Sequence, residues 1–139
     1  MMVRLKGKPV DVVIVEVYMP TTEHKDEEID AAYERIQELL DKETKGMDYM
    51  LIIGDWNAIV GEGKEDVFVG HYGLGYGNNR GEKFAEFYEH RQMYVINTWF
   101  TQDSIQKYTW TMPQSKSPEG QFQMIIHCVS KKFPHLNCL

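Results

Sequence analysis

Met50-Leu51-Ile52-Ile53-Gly54-Asp55-Trp56-Asn57-Ala58 passes from an unbroken apolar run to a polar end within nine residues. Four apolar residues in succession predict a strand buried on both faces, and Gly54 frees the backbone to turn where two polar side chains come next. An acid and an amide are thereby delivered to the end of a core strand. Open α/β proteins place their chemistry there, in the crevice beyond the carboxyl ends of strands. The alternative is a strand followed by an ordinary polar turn, in which Asp55 or Asn57 bonds nearby backbone.

Upstream, Val10 to Tyr18 is rich in β-branched residues, with polar positions only near its ends, and predicts a central strand that Pro20 terminates. Tyr18 is the polar side chain left at that end. Lys6-Gly7-Lys8 joins this strand to residues 2–5 as a hairpin. Between the two core strands, residues 21–43 carry Ile29, Ala32, Tyr33, Ile36, Leu39 and Leu40 at helical spacing, with Gly46 as the expected stop. The order strand, helix, strand suggests a crossover in which a helix covers a strand pair.

Composition bounds the rest. The chain has 139 residues, of which 42% are hydrophobic, including three Trp, eight Tyr and six Phe, enough for the core of one domain. No apolar run approaches bilayer length, and the first residues lack a signal-peptide hydrophobic region. An intracellular protein, nuclear or cytoplasmic, is expected, with no membrane partner. Cys128 and Cys138 stand outside any metal-ligand pattern and are expected as free thiols. Residues 23–43 hold nine acids against three bases, which accounts for the whole net charge of −6. That run reads as a solvated helix face, so a substrate surface elsewhere need not be acidic.

Downstream of the opening stretch, residues 59–80 are dense in glycine without a phosphate-loop or dinucleotide pattern. A long loop beside a strand-end carboxylate is a candidate for contacting substrate. Glu82 to His90 predicts a helix, with Phe84, Phe87 and Tyr88 as its core stripe. Three further strands are expected at residues 93–98, 107–111 and 122–129. Residues 1–129 then form one partial domain, and 130–139 an irregular tail.

Several pieces recur in the order of a known family. Tyr18-Met19-Pro20, Gly54-Asp55-Trp56-Asn57, Asn78 to Gly81, Asn97-Thr98 and Tyr108-Thr109-Trp110-Thr111 together resemble the endonuclease/exonuclease/phosphatase superfamily. Within it they resemble the craniofacial development protein 2-like proteins and the endonuclease regions of non-LTR retrotransposons. The resemblance runs from about Val10 to Gln121. It implies a four-layer α-β-β-α sandwich with mostly antiparallel sheets, and magnesium-dependent cleavage of phosphodiester bonds in DNA. By carry-over, Asp55 orients or activates the attacking water, Asn57 holds the phosphate or the metal shell with Asp55, and Tyr18 donates its hydroxyl to the phosphate. Asn78 and Asn79 contact the nucleic-acid backbone, and Trp110 supports the wall. Each also has a structural reading: Tyr18 as a strand cap, the asparagines as turn residues, Trp110 as core.

The departures carry equal weight. The family's early Asn and metal-binding Glu belong to strands before the one near Val10, and Glu16, inside that strand, does not replace them. His127 stands where the family has aspartate and Cys128 where it has tyrosine. The terminal Asp-His pair is missing, and His135 has no aspartate before it. The expectation is the middle of a nuclease-like domain, truncated at both ends, weakly active or inactive. The alternatives are a non-catalytic remnant serving as an interaction module, or a phosphatase of the same fold. Unpaired sheet edges in such a piece invite self-association.

Overall fold

Strand β2 (Val12–Tyr18) lies at the centre of the sheet, as its β-branched run predicts, with β1 (Met2–Leu5) antiparallel on one side. On its other side β3 (Tyr49–Asp55) runs parallel, and helix α1 (Asp26–Glu43) makes the crossover between them. The computed structural model describes residues 1–21, 24–44, 49–63, 66–101 and 103, and the backbone of 110–111, 121–122 and 125–127. Helix α2 (Asn79–Arg91) comes after β3. Two short strands, β4 (Trp110–Thr111) and β5 (Gln121–Phe122), pair with each other, and β6 (Ile125–His127) adds antiparallel to β3. The sheet order is β1-β2-β3-β6, a mixed α/β arrangement with its one parallel pair in the middle. Among the described residues no helix is long and apolar enough to cross a membrane.

The core forms on one face of this sheet. Val13, Val15 and Val17 of β2 and Ile52 of β3 cluster with Ile29 and Leu40 of α1 and with Phe84 and Tyr88 of α2. At its centre is Trp56, whose ring lies 5.1 to 5.8 Å from those of Tyr33, Phe84, Phe87 and Tyr88. Burial in this cluster holds the Tyr33 phenol protonated well above the usual tyrosine range.

The other face corrects the expectation of a strand buried on both sides. Leu51 and Ile53 are only half-buried, and their neighbours on that face include Ile14 and the exposed Val3 and Leu5. Both described helices cover the same side, so among the described residues only one face of this apolar run is fully packed.

Gly54 also has a different task from the one expected. It remains inside β3, where a Cβ would fall 1.8 Å from the Val17 carbonyl oxygen. The close approach of two strands demands glycine there, and its φ of +142° agrees.

The acidic helix is more than a solvated face. Asp26, Asp30 and Asp41 meet Arg80, Lys83 and Arg91 of α2 as three rungs, which sets the two helices side by side and parallel. Arg80 and Arg91 also donate to the carbonyls of His24 and Gln37. α1 closes at Thr44, whose N–H and hydroxyl both return to the Leu40 carbonyl; Gly46 lies outside the described residues.

Two other elements differ from expectation. α2 begins at Asn79, three residues earlier than Glu82, because the Asn78 side chain caps it. Residues 93–98 form no strand. Val95 makes an isolated parallel bridge to Val69, and Ile96–Thr98 is a 3-10 turn, because the Thr98 N–H and hydroxyl both fold back onto the Val95 carbonyl. Of the expected strands at 107–111 and 122–129, the described residues form β4, β5 and β6. The tail, with His135 and Cys138, and also Cys128, lies outside the described residues.

Candidate functional site

Tyr18 and Asp55 are register partners, each the last residue of its strand, so the central parallel pair ends in a phenol beside a carboxylate. Adjacent strands lie about 4.8 Å apart, and partners in register share a face. Tyr18 is 74% exposed, and its hydroxyl is available to a ligand. Asp55 is half-buried, and its position is fixed by hydrogen bonds with Met19 and Asn57.

Those bonds tie a small backbone knot. The Met19 N–H donates to the Asp55 carbonyl at 2.8 Å, continuing the strand pairing by one residue. Asn57 then turns back at φ +48°, its N–H donating to Asp55 Oδ1 at 2.9 Å and its Nδ2 to the Met19 carbonyl at 2.7 Å. A left-handed conformation is one that asparagine tolerates better than most residues. One carboxylate oxygen of Asp55 is fixed; the other, Oδ2, has no donor among the described residues. One N–H of the Asn57 side-chain amide links the two strand ends, which leaves its second N–H and its Oδ1 as the groups that could meet a ligand.

Glu16 joins them through the pleat. It stands two residues before Tyr18 on the same face and is exposed, so β2 and β3 together present two carboxylates toward one side. Strand alternation carried that signal, although position inside the strand argued against it. Among the described residues no three His, Cys, Asp or Glu side chains come together as a metal cluster.

Asn78 joins the strand exit to α2. Its Oδ1 accepts from Gly81 N–H at 2.8 Å and Ile59 N–H at 3.2 Å, and its own N–H donates to the Ile59 carbonyl at 3.0 Å. This packing is tight enough that a Cβ on Gly81 would meet the Ile59 oxygen at 1.8 Å. The side-chain oxygen of Asn78 is therefore committed to the fold, whereas Asn79, in the first turn of α2, is exposed. Trp110 is reached through the backbone: it pairs with Phe122, and Phe122 precedes Ile125, the register partner of Gly54, by three residues. Steps of about 3.8 Å each keep Phe122 within about 11 Å of Ile125 at the sheet edge beside Gly54. The Trp110 side chain lies outside the described residues.

A small, largely enclosed cavity begins one residue past Asn57. Ala58, Ile59 and Val60 form one side, Gly73 and Leu74 another, and Val95, Asn97 and Thr98 the third.

The chain is thus a mixed α/β protein with polar groups gathered at the carboxyl ends of its parallel pair. It is similar to craniofacial development protein 2 of Bos taurus, 40% identical over 121 residues, which is 87% of this chain and 19% of the relative. It is also similar to craniofacial development protein 2 of Tragulus javanicus, 38% identical over 120 residues, 86% of this chain and 20% of the relative. The chain therefore spans about a fifth of the length of the curated relatives it matches. No protein-family model matches it.

Proposed function

We propose that this chain is part of a magnesium-dependent, endonuclease-like phosphodiesterase domain of the endonuclease/exonuclease/phosphatase superfamily, of retrotransposon ancestry, and that its own activity on DNA is weak. The observation that carries the reading is the side-by-side placement of Tyr18 and Asp55 at the ends of adjacent parallel strands. In this role the Tyr18 hydroxyl donates a hydrogen bond to a phosphate oxygen. The free Oδ2 of Asp55 takes a proton from the attacking water or orients it. Asn57 holds both strand ends together, and Asn79 and Trp110 flank the strand that is bound.

The donor set is compatible with magnesium in a limited way. Magnesium keeps several of its waters and can be bound through one or two carboxylates together with substrate phosphate. Asp55 is the first such donor, and Glu16, on the same face, is the second. An ion held there would supply charge against the phosphate. Two carboxylates do not make a closed cage, and weak activity is the consequence.

Plasmid nicking in magnesium is the test. Slow nicking by the wild-type chain that disappears in Asp55→Ala and falls in Tyr18→Phe is the expected result. Absence of nicking at every protein concentration overturns it. A second reading, a non-catalytic interaction module, is favoured by the half-exposed apolar face of the sheet at Leu51, Ile53 and Ile14. It predicts association without nicking.

A further inference from the structure

Thr98 is the one buried polar side chain among the described residues, 3% exposed. Its hydroxyl accepts the Gly70 N–H at 2.7 Å and donates to the Val95 carbonyl at 2.6 Å. Its own carbonyl accepts the Tyr72 N–H at 2.8 Å, and the Val95 N–H donates to the Phe68 carbonyl at 2.8 Å. Residues 68–72 of the glycine-rich loop are thus fastened along Val95–Thr98 from both sides of the hydroxyl. The fit is close: a Cβ on Gly70 would lie 2.4 Å from the Thr98 carbonyl oxygen.

The fastened stretch runs on through Gly73 and Leu74, which line the small cavity beyond Asn57, to Asn78, whose backbone and side chain bond Ile59 at the strand exit. Within residues 59–78 only Val69 makes a β-bridge among the described residues, so long-range hydrogen bonds to Val95–Thr98, with the burial of Phe68 and Val69, set the loop's position. A hydroxyl that accepts from the loop and donates to its own segment does this with one atom. A valine of the same shape would leave the buried Gly70 N–H without an acceptor.

We propose that Thr98 is a positioning residue, whose hydroxyl latches the glycine-rich loop and so fixes the segment that runs on to Asn79, which flanks a bound DNA strand. The latch stands on geometry alone, whereas the identity of the bound strand rests on the phosphodiesterase reading.

Amide hydrogen exchange on the metal-free chain tests the latch without any activity. Thr98→Val should speed exchange at Gly70 and Tyr72 about tenfold while Val15 and Ile52 keep their protection, and Thr98→Ser should restore the wild-type pattern. Unchanged exchange at Gly70 and Tyr72 overturns the latch. Equal loss of protection at Ile52 also overturns it, since Thr98 would then be a part of the general core. On plasmid DNA with magnesium, Thr98→Val should raise KM several-fold with kcat little changed, and Thr98→Ser should recover it. Local exchange with an unaltered KM overturns the positioning role. Local exchange in a chain that never nicks DNA upholds the latch and overturns the phosphodiesterase reading instead.

Discussion

Asn57 shows how much one residue contributes at this site. Its left-handed backbone and its two donated hydrogen bonds hold Asp55 and Met19 together, so its amide organises the strand ends before any ligand arrives. Trp56, one residue earlier, faces the opposite way, into the aromatic cluster, and its indole N–H has no hydrogen-bond acceptor among the described residues. Its aromatic character is therefore a packing requirement. Trp56→Ala should cost about 3–5 kcal/mol by leaving a cavity, whereas Trp56→Phe should cost distinctly less, since it removes an unsatisfied donor along with some volume. Urea unfolding of the two variants checks the difference. Asn78→Ala strips the cap from α2 and the acceptor from Ile59, and should lower stability by about 1–2 kcal/mol, measured the same way. Asn78→Asp keeps both acceptors and should stay close to wild type.

At the scale of elements, the β1–β2 hairpin carries the pH dependence. Asp11 accepts from the Lys6 ammonium at 2.8 Å, from the Gly7 N–H at 3.2 Å and from Arg4 at 3.3 Å. The Lys6 hydrogen bond, then that from Gly7, holds its carboxyl below the ordinary aspartate value. A depressed carboxylate pKa stabilises the fold above the unfolded-state value, and this contribution disappears as pH falls through the folded one. Thermal melting should therefore separate wild type from Asp11→Asn at neutral pH, with the gap closing in acid. The β2–β3 pair depends instead on Gly54. Gly54→Ala forces a Cβ into the Val17 carbonyl and should yield no cooperative thermal transition. The rungs between α1 and α2 are exposed on the acid side and should each contribute little, but they align the helices that cover the core.

Among the described residues, at the scale of the whole molecule, two helices and an aromatic core cover one face of the sheet, and aliphatic side chains are half-exposed on the other. Such a surface, on a sheet whose β1 edge meets no further strand among the described residues, favours association. Sedimentation of the wild-type chain should show concentration-dependent self-association, and Ile53→Lys should shift it toward monomer; a monomer at all concentrations contradicts this. Much of the molecule was legible in the sequence. β-branched runs, helical periodicity and the Gly-Asp-Trp-Asn stretch are enough for the β2–α1–β3 order and the polar ends at Tyr18 and Asp55, because each is written in local pattern, whereas the crossover length only suggested that the two strands pair. Only the tertiary structure decided which face of β3 is buried, that Gly54 serves strand approach rather than a turn, that Asn78 is spent on capping, that Glu16 shares the face of Asp55, and that Thr98 anchors a loop. Each of these depends on a partner in another element or on the far side of a turn, and a local pattern names a side chain without naming what it will meet.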